Sequence, residues 1–243
     1  MANILLVETA TEVCSVALAT AGEVVTLEED TEGGRHSALL TVFVERVLAT
    51  AGMRPEDLDA VCVSRGPGSY TGLRIGVSAA KGLCYALGIP LLAISTLDAL
   101  AAHAAKLLDI GEIPEHSAPE DPFKVPHLLC PMLDARRMEV YTALYDRHGH
   151  RLTDITARII GKDSFIAELS SGAVVFFGNG APKCREILTG PNAWFPGHLQ
   201  ASARFMSQLA QERYEKQEFE NVPYFEPFYL KDFIATVPRN KVF

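Results

Sequence analysis

The same order of secondary structure is written twice along this 243-residue chain, and few folds accommodate that. Apolar or alternating stretches at 4–8, 13–19 and 23–29, separated by polar or glycine-containing turns, predict a three-stranded antiparallel meander. Residues 36–51, rich in Leu, Val and Ala and followed by Gly52, predict a helix, and Asp59 to Ser64 a short strand. A Gly-Pro-Gly loop at 66–68 leads into a second helix from Tyr70 to Leu87, which Gly88-Ile89-Pro90 ends. Leu91 to Ser95 is then a strand and 97–108 a helix. Residues 109–126 carry Gly, Glu, His and four prolines, a composition that builds no packed element and reads as a linker. Beyond it come strands near 127–133, 138–146 and 151–160, a helix at 163–170, a strand at 173–177, a Gly-Asn-Gly loop and a helix at 183–189.

Two βββαβα halves joined head to tail match the α/β, duplicated ribonuclease-H-like architecture of actin, Hsp70 and the sugar kinases. The pattern divides the chain into a unit over 1–108, a linker over 109–126 and a second unit over 127–243. A last helix (201–217) and an aromatic tail from Pro223 to Tyr229 are placed to pack back on the first unit. If the halves are duplicated, their first strands end at Glu8 and Asp134, expected to face each other across an interdomain cleft. Cleft and nucleotide candidates are therefore Glu8, Thr9, Thr11, Gly66, Gly68, Ser69, Asp134, Arg136, Gly178 and Gly180. Nucleotide-hydrolysing relatives of this fold need a carboxylate for metal-phosphate and glycine where backbone meets phosphate. Neither strand-end turn here has glycine, and Arg136 and Arg137 would crowd a phosphate.

A net charge of −8 opposes direct binding of nucleic acid, so a partner is expected to hold any RNA. The five cysteines show no CxxC pair and read as buried apolar residues in a reducing compartment. With no basic leader and no bilayer-length apolar run, the expected location is cytoplasmic, without membrane attachment.

The sharpest local motif is Arg65-Gly-Pro-Gly-Ser-Tyr-Thr-Gly-Leu-Arg-Ile-Gly76, a strand-to-helix turn able to gather N–H groups around an anion. It lacks the Gly-Lys-Ser/Thr of a P-loop. In the helix that follows, Gly72, Gly76, Ala80 and Cys84 form one small-residue row and Ser78, Gly82 and Ala86 another. So many poor helix formers imply close packing, either inside the chain or against another subunit.

Ile4 to Leu18, His36-Ser37, the 65–76 motif, Asp134 to Tyr141 and Gly178-Asn-Gly180, in that order, resemble the TsaB (YeaZ) family. The resemblance is dense over about 1–100, thinner to about 190, and returns in Glu226 to Leu230. It implies a non-catalytic paralogue of TsaD that binds this catalytic subunit, helps recruit the ATPase TsaE, and serves threonylcarbamoyl transfer to tRNA adenosine. It also implies ATP or ADP at the complex interface rather than an intrinsic cofactor, tRNA reached through the complex, and a homodimer in isolation. The interface carried over lies on the first two helices: His36, Leu39, Leu40, Phe43, Val47, Tyr70, Leu73, Arg74, Val77, Ala80, Lys81 and Cys84. On this reading Val77→Arg is expected to weaken partner binding and leave the fold intact.

Where the catalytic paralogue carries a metal-binding HxxxH, this chain has Thr96 and Leu100, so no metal and no catalytic residue is expected. Glu8 stands where the family usually has Asp. The alternatives are a glycoprotease-like metallopeptidase and an actin-fold ATPase or kinase. The first needs a metal or a nucleophile–base pair, and Ser69 lies in no G-x-S-x-G elbow. The second needs the missing glycines.

Overall fold

The computed structural model describes residues 1–113, 128–197 and 199–231, so most of the expected linker, with His116, His127 and His198, lies outside the described residues. The first half runs β1 (Asn3–Glu8), β2 (Cys14–Thr20), β3 (Glu23–Asp30), α1 (His36–Ala51), β4 (Ala60–Gly66), α2 (Tyr70–Leu87), β5 (Leu91–Ser95) and α3 (Thr96–Asp109). Its sheet has the order β3-β2-β1-β4-β5, with β1 antiparallel to β2 and parallel to β4. The second half runs β6 (Leu128–Asp134), β7 (Glu139–Thr142), β8 (Tyr145–Asp146), β9 (Thr156–Ile159), α4 (Ile166–Ser171), β10 (Val174–Phe177) and β11 (Ala193–Trp194). Its sheet reads β9-β7-β6-β10-β11, the same order about its own first strand, with β8 added beside β6. The duplicated ribonuclease-H-like fold follows from this correspondence.

The central strands read as apolar runs because both faces of the first sheet are covered. Leu5 and Val7 of β1 point toward α1 and α2, where Leu40, Phe43, Val47, Val77, Ala80 and Cys84 complete one core. Ile4 and Leu6 point the other way, onto Ala203, Met206 and Ala210. These last residues belong to a 3-10 turn (Ala203–Met206) and to α5 (Ser207–Glu215), the broken form of the helix expected over 201–217. The C-terminal segment therefore closes the core of the first half although it follows the second in sequence.

Both long helices stop at glycines in the left-handed region, Gly52 (φ 66°) and Gly88 (φ 67°). A third core joins the halves: Leu97, Leu100, Ala101 and Ala104 of α3 pack with Leu129, Leu133, Tyr145, Val175 and Phe177. Tyr145 donates its hydroxyl to Asp98 at 2.7 Å across that joint. The helix expected at 183–189 is only a 3-10 turn, Pro182–Cys184, whose following residues bury Cys184 and Leu188. With Pro182 and Gly190 bounding it, the segment is too short to repay helix nucleation. The last strand of this half is the two-residue β11, too brief to show any period in sequence.

Candidate functional site

The paired glycine loops occupy corresponding places. In each half, the loop after the strand parallel to the central one folds onto the end of that central strand. A β-carbon on Gly68 would lie 2.2 Å from the Ala10 carbonyl oxygen, one on Gly72 2.1 Å from that of Thr9, and one on Gly76 2.2 Å from the Thr9 hydroxyl. In the second half a β-carbon on Gly178 (φ +94°) would lie 2.4 Å from the Met132 carbonyl oxygen, and one on Gly180 2.8 Å from the carbonyl carbon of Leu133. These glycines seat the chain's own backbone. The first small-residue row of α2 thus serves intramolecular packing, and Thr9 caps the contact by donating to the Gly72 carbonyl at 2.8 Å.

The anion site expected at residues 65–76 is largely spent on the same contact. Ser69 N–H donates to the Ala10 carbonyl at 2.6 Å, and Gly72 N–H donates to the Ser69 hydroxyl at 3.2 Å. Ser69 Oγ serves here as the N-cap of α2. Gly66 (φ +100°) turns the chain toward Pro67, and a β-carbon there would meet the Phe228 carbonyl oxygen at 3.1 Å.

Glu8 and Asp134 do not form the symmetric pair expected. Glu8 is fully buried beneath the strand end, its Oε1 accepting from Ala10 N–H at 2.6 Å and from the Ser64 hydroxyl at 2.9 Å. Its Oε2 has no hydrogen-bond partner. Burial pushes this carboxyl up to about 7, against the lowering pull of those hydrogen bonds. The side chain turns inward because it follows Ile4 and Leu6 on the inner face of β1, where Ser64 is the polar group available. Thr96 Oγ1, at the start of α3, is likewise buried without a partner, and Leu100 lies in the interdomain core.

Asp134 is exposed and ties the second strand-end turn. It accepts from Arg136 N–H at 3.0 Å and from the Lys183 ammonium, which also donates to the Glu139 carbonyl at 2.7 Å. Arg136 and Arg137 stand exposed at φ 69° and 52°, a left-handed pair outside glycine's usual places. The contact across the cleft is made by residues that sequence reasoning passed over. Asn179 Nδ2 donates to Glu12 at 2.6 Å, while its Oδ1 accepts from Asp134 N–H at 3.0 Å. The one available signal was the position of Asn179 between the two flagged glycines. Thr11 is buried and caps Val13 N–H at 3.2 Å.

The helix-face candidates divide sharply. Leu40, Phe43, Val47, Leu73, Val77, Ala80 and Cys84 are all buried, six of them in the core between helices and sheet, so they offer no side chain to another molecule. His36 is buried too, its Nε2 within 3.0 and 3.2 Å of the Thr11 and Val13 carbonyls, and it holds the β1–β2 turn. Val77→Arg would therefore force a charge into the core, contrary to the expectation of an intact fold. Leu39, Tyr70 and Lys81 are half-buried and Arg74 is exposed. Thr71, Arg74, Ser78, Gly82, Tyr85 and Ala86 form the outer face of α2. Tyr85 is 88% exposed, and a β-carbon on Gly82 would meet nothing within 4 Å. The second small-residue row is thus the outward one, and the described residues supply no packing that offsets its low helix propensity.

Among the described residues no group of three His, Cys, Asp or Glu side chains could hold a metal ion, and no helix is long and apolar enough to cross a membrane.

A family model described as TsaD: tRNA N6-adenosine threonylcarbamoyltransferase matches residues 31–210. The chain is 28% identical over 243 aligned residues to the tRNA threonylcarbamoyladenosine biosynthesis protein TsaB of Haemophilus influenzae, covering 95% of this chain and 94% of that one. It is 39% identical to the Bacillus subtilis TsaB over 110 residues, 45% of this chain and 40% of that protein. The solved structure of YeaZ from Pseudomonas aeruginosa superposes with a TM-score of 0.77 at 26% identity, covering 95% of this chain and all of that one. With a fold that superposes on YeaZ along nearly its whole length and a match co-extensive with a TsaB, this chain belongs to the TsaB (YeaZ) branch of the family that the TsaD model describes.

Proposed function

We propose that this protein is an accessory subunit of N6-threonylcarbamoyladenosine formation in tRNA, working in the cytoplasm through a TsaD-like catalytic subunit. The cleft carries this reading. Its glycines are filled by Thr9, Ala10 and Met132, its first carboxyl is sealed beneath the strand, and its second holds Lys183. Such a cleft offers phosphate little approach, which supports a scaffold over the ATPase or kinase alternative.

The partner surface is the outer face of α2 with the neighbouring exposed face of α1, where Ser37, Ala38, Thr41 and Glu45 lie. Small residues there admit a second helix closely, and Tyr85 is a ready anchor. The same face allows a homodimer in isolation. A TsaE-like ATPase, nucleotide at the complex interface and tRNA held by the partners complete the reading, in keeping with the chain's charge of −8. The test is formation of threonylcarbamoyladenosine on tRNA in a reconstituted mixture. Activity confined to the full set supports the accessory role. Modification by this chain alone, or a full set no better than the set lacking it, overturns it.

A further inference from the structure

The last described segment runs from the first half to the second and closes over the cleft mouth. Glu220 N–H donates to the Leu91 carbonyl at 2.8 Å, adding a bridge to the edge strand β5. Phe225 is buried in the first core, and Lys81 Nζ donates to the Pro223 and Phe225 carbonyls at 3.1 and 3.0 Å. Phe228 N–H donates to the Arg65 carbonyl at 2.7 Å. The Tyr229 ring lies 5.0 Å from that of Tyr70, and its hydroxyl accepts from Arg74 Nε at 3.4 Å. Every tie up to this point is to the first half.

Lys231 then crosses to the second half. Its ammonium pairs with the Glu139 carboxylate, reaches the Ala135 carbonyl at 3.5 Å and lies 5.8 Å from the centre of the Tyr141 ring. A cavity of about 40 Å³ remains beneath, lined by Pro67, Gly68, Tyr70, Tyr141, Tyr229 and Lys231 among others. The two sides of the interdomain joint differ in kind. At α3 and β6 it is built on an apolar core, supplemented by the Tyr145–Asp98 hydrogen bond and the Arg147–Asp109 and Arg151–Asp98 pairs, whereas at the mouth the ties named so far are polar alone: Asn179 to Glu12, and Lys231 to Glu139. An apolar joint with polar fastenings opposite is a hinge with latches, because water competes for the latches and not for the core.

We propose that residues 220–231 are a strap that latches the cleft between the halves, with Lys231 as its fastening. Releasing Lys231 frees the second half to swing about the α3–β6 core while the strap stays anchored by Phe225.

All five native cysteines are buried, so cysteines introduced at exposed Thr41 and Lys162 can be spin-labelled selectively, one in each half. The distance distribution between the labels is measured in the full chain diluted with unlabelled protein. Lys231→Met is expected to move the balance toward longer distances on the order of fivefold, as loss of an exposed ion pair allows. Raising salt to about 1 M in the unmutated latch should shift it the same way, and the exchange Lys231→Glu with Glu139→Lys should restore the closed distribution. Superimposable distributions at low and high salt and in Lys231→Met overturn the latch. Should Lys231→Met fail to fold, the salt comparison decides alone, and a Lys231→Met shift that neither salt reproduces nor the charge exchange reverses also overturns it.

Discussion

Replacing Glu8 with Gln tests the buried carboxyl at the end of β1. In the native state this carboxyl holds its proton up to about pH 7, against an ordinary value of 4.5, because burial penalises the anion and Oε2 has no partner. Below pH 4.5 the native and unfolded chains are both protonated, and Glu8 makes no pH-dependent contribution. Between 4.5 and 7 the unfolded chain releases the proton and the native one keeps it, so stability falls as pH rises. Above pH 7 the whole penalty is present, about 3 kcal/mol. Gln keeps an oxygen for Ala10 N–H and the Ser64 hydroxyl and removes the ionisation. From pH 5 to pH 8 the variant should gain about 2–3 kcal/mol on the parent, on top of a pH-independent offset set by its unpartnered amide N–H. Urea denaturation followed by circular dichroism at pH 5, 6, 7 and 8 measures the difference, and subtraction removes the other titrating groups common to both chains. A difference that does not change across this range would refute the reasoning.

Gly72→Ala should cost more than about 2 kcal/mol, since its β-carbon meets the Thr9 backbone, while Gly82→Ala should gain about 0.5–1 kcal/mol in open space; melting temperatures of the two variants compare them. Val77→Arg should abolish cooperative folding, whereas Tyr85→Ala should leave circular dichroism unchanged and weaken capture of a TsaD-like subunit about tenfold or more. His103, stacked 3.7 Å from Phe205, is lowered to about 4 by burial and then by Arg204 and Lys106. Its folded value lies below the ordinary 6.5, so its share of stability is full above that value and lost as pH falls toward 4; proton NMR titration of the ring gives the midpoint. The five buried thiols should react with a bulky disulfide reagent only on unfolding, which absorbance follows directly.

The order of elements was legible because it depends on local chemistry. Glycine at 52 and 88 and the apolar runs of β1, β2 and β4 each act within a few residues. The family was legible for the same reason, since its motifs are contiguous stretches. The helix expected at 183–189 failed where a short segment bounded by Pro182 and Gly190 had its backbone decided by the burial of Cys184 and Leu188.

Sequence by itself determined the repeat of strands and helices in two halves, a glycine loop after β4 and after β10, and helix α2 with two rows of small residues. Only the tertiary structure decided which row faces inward, because both recur at spacing four and periodicity carries no direction. Thr9 settles it by lying against Gly72 and Gly76, which leaves Ser78, Gly82 and Ala86 outside. It likewise decided that Glu8 is sealed while Asp134 is exposed, that Glu12 meets Asn179, and that Lys231 meets Glu139. Those contacts join residues far apart in the chain, and their energies arise from burial and from the approach of side chains across the cleft.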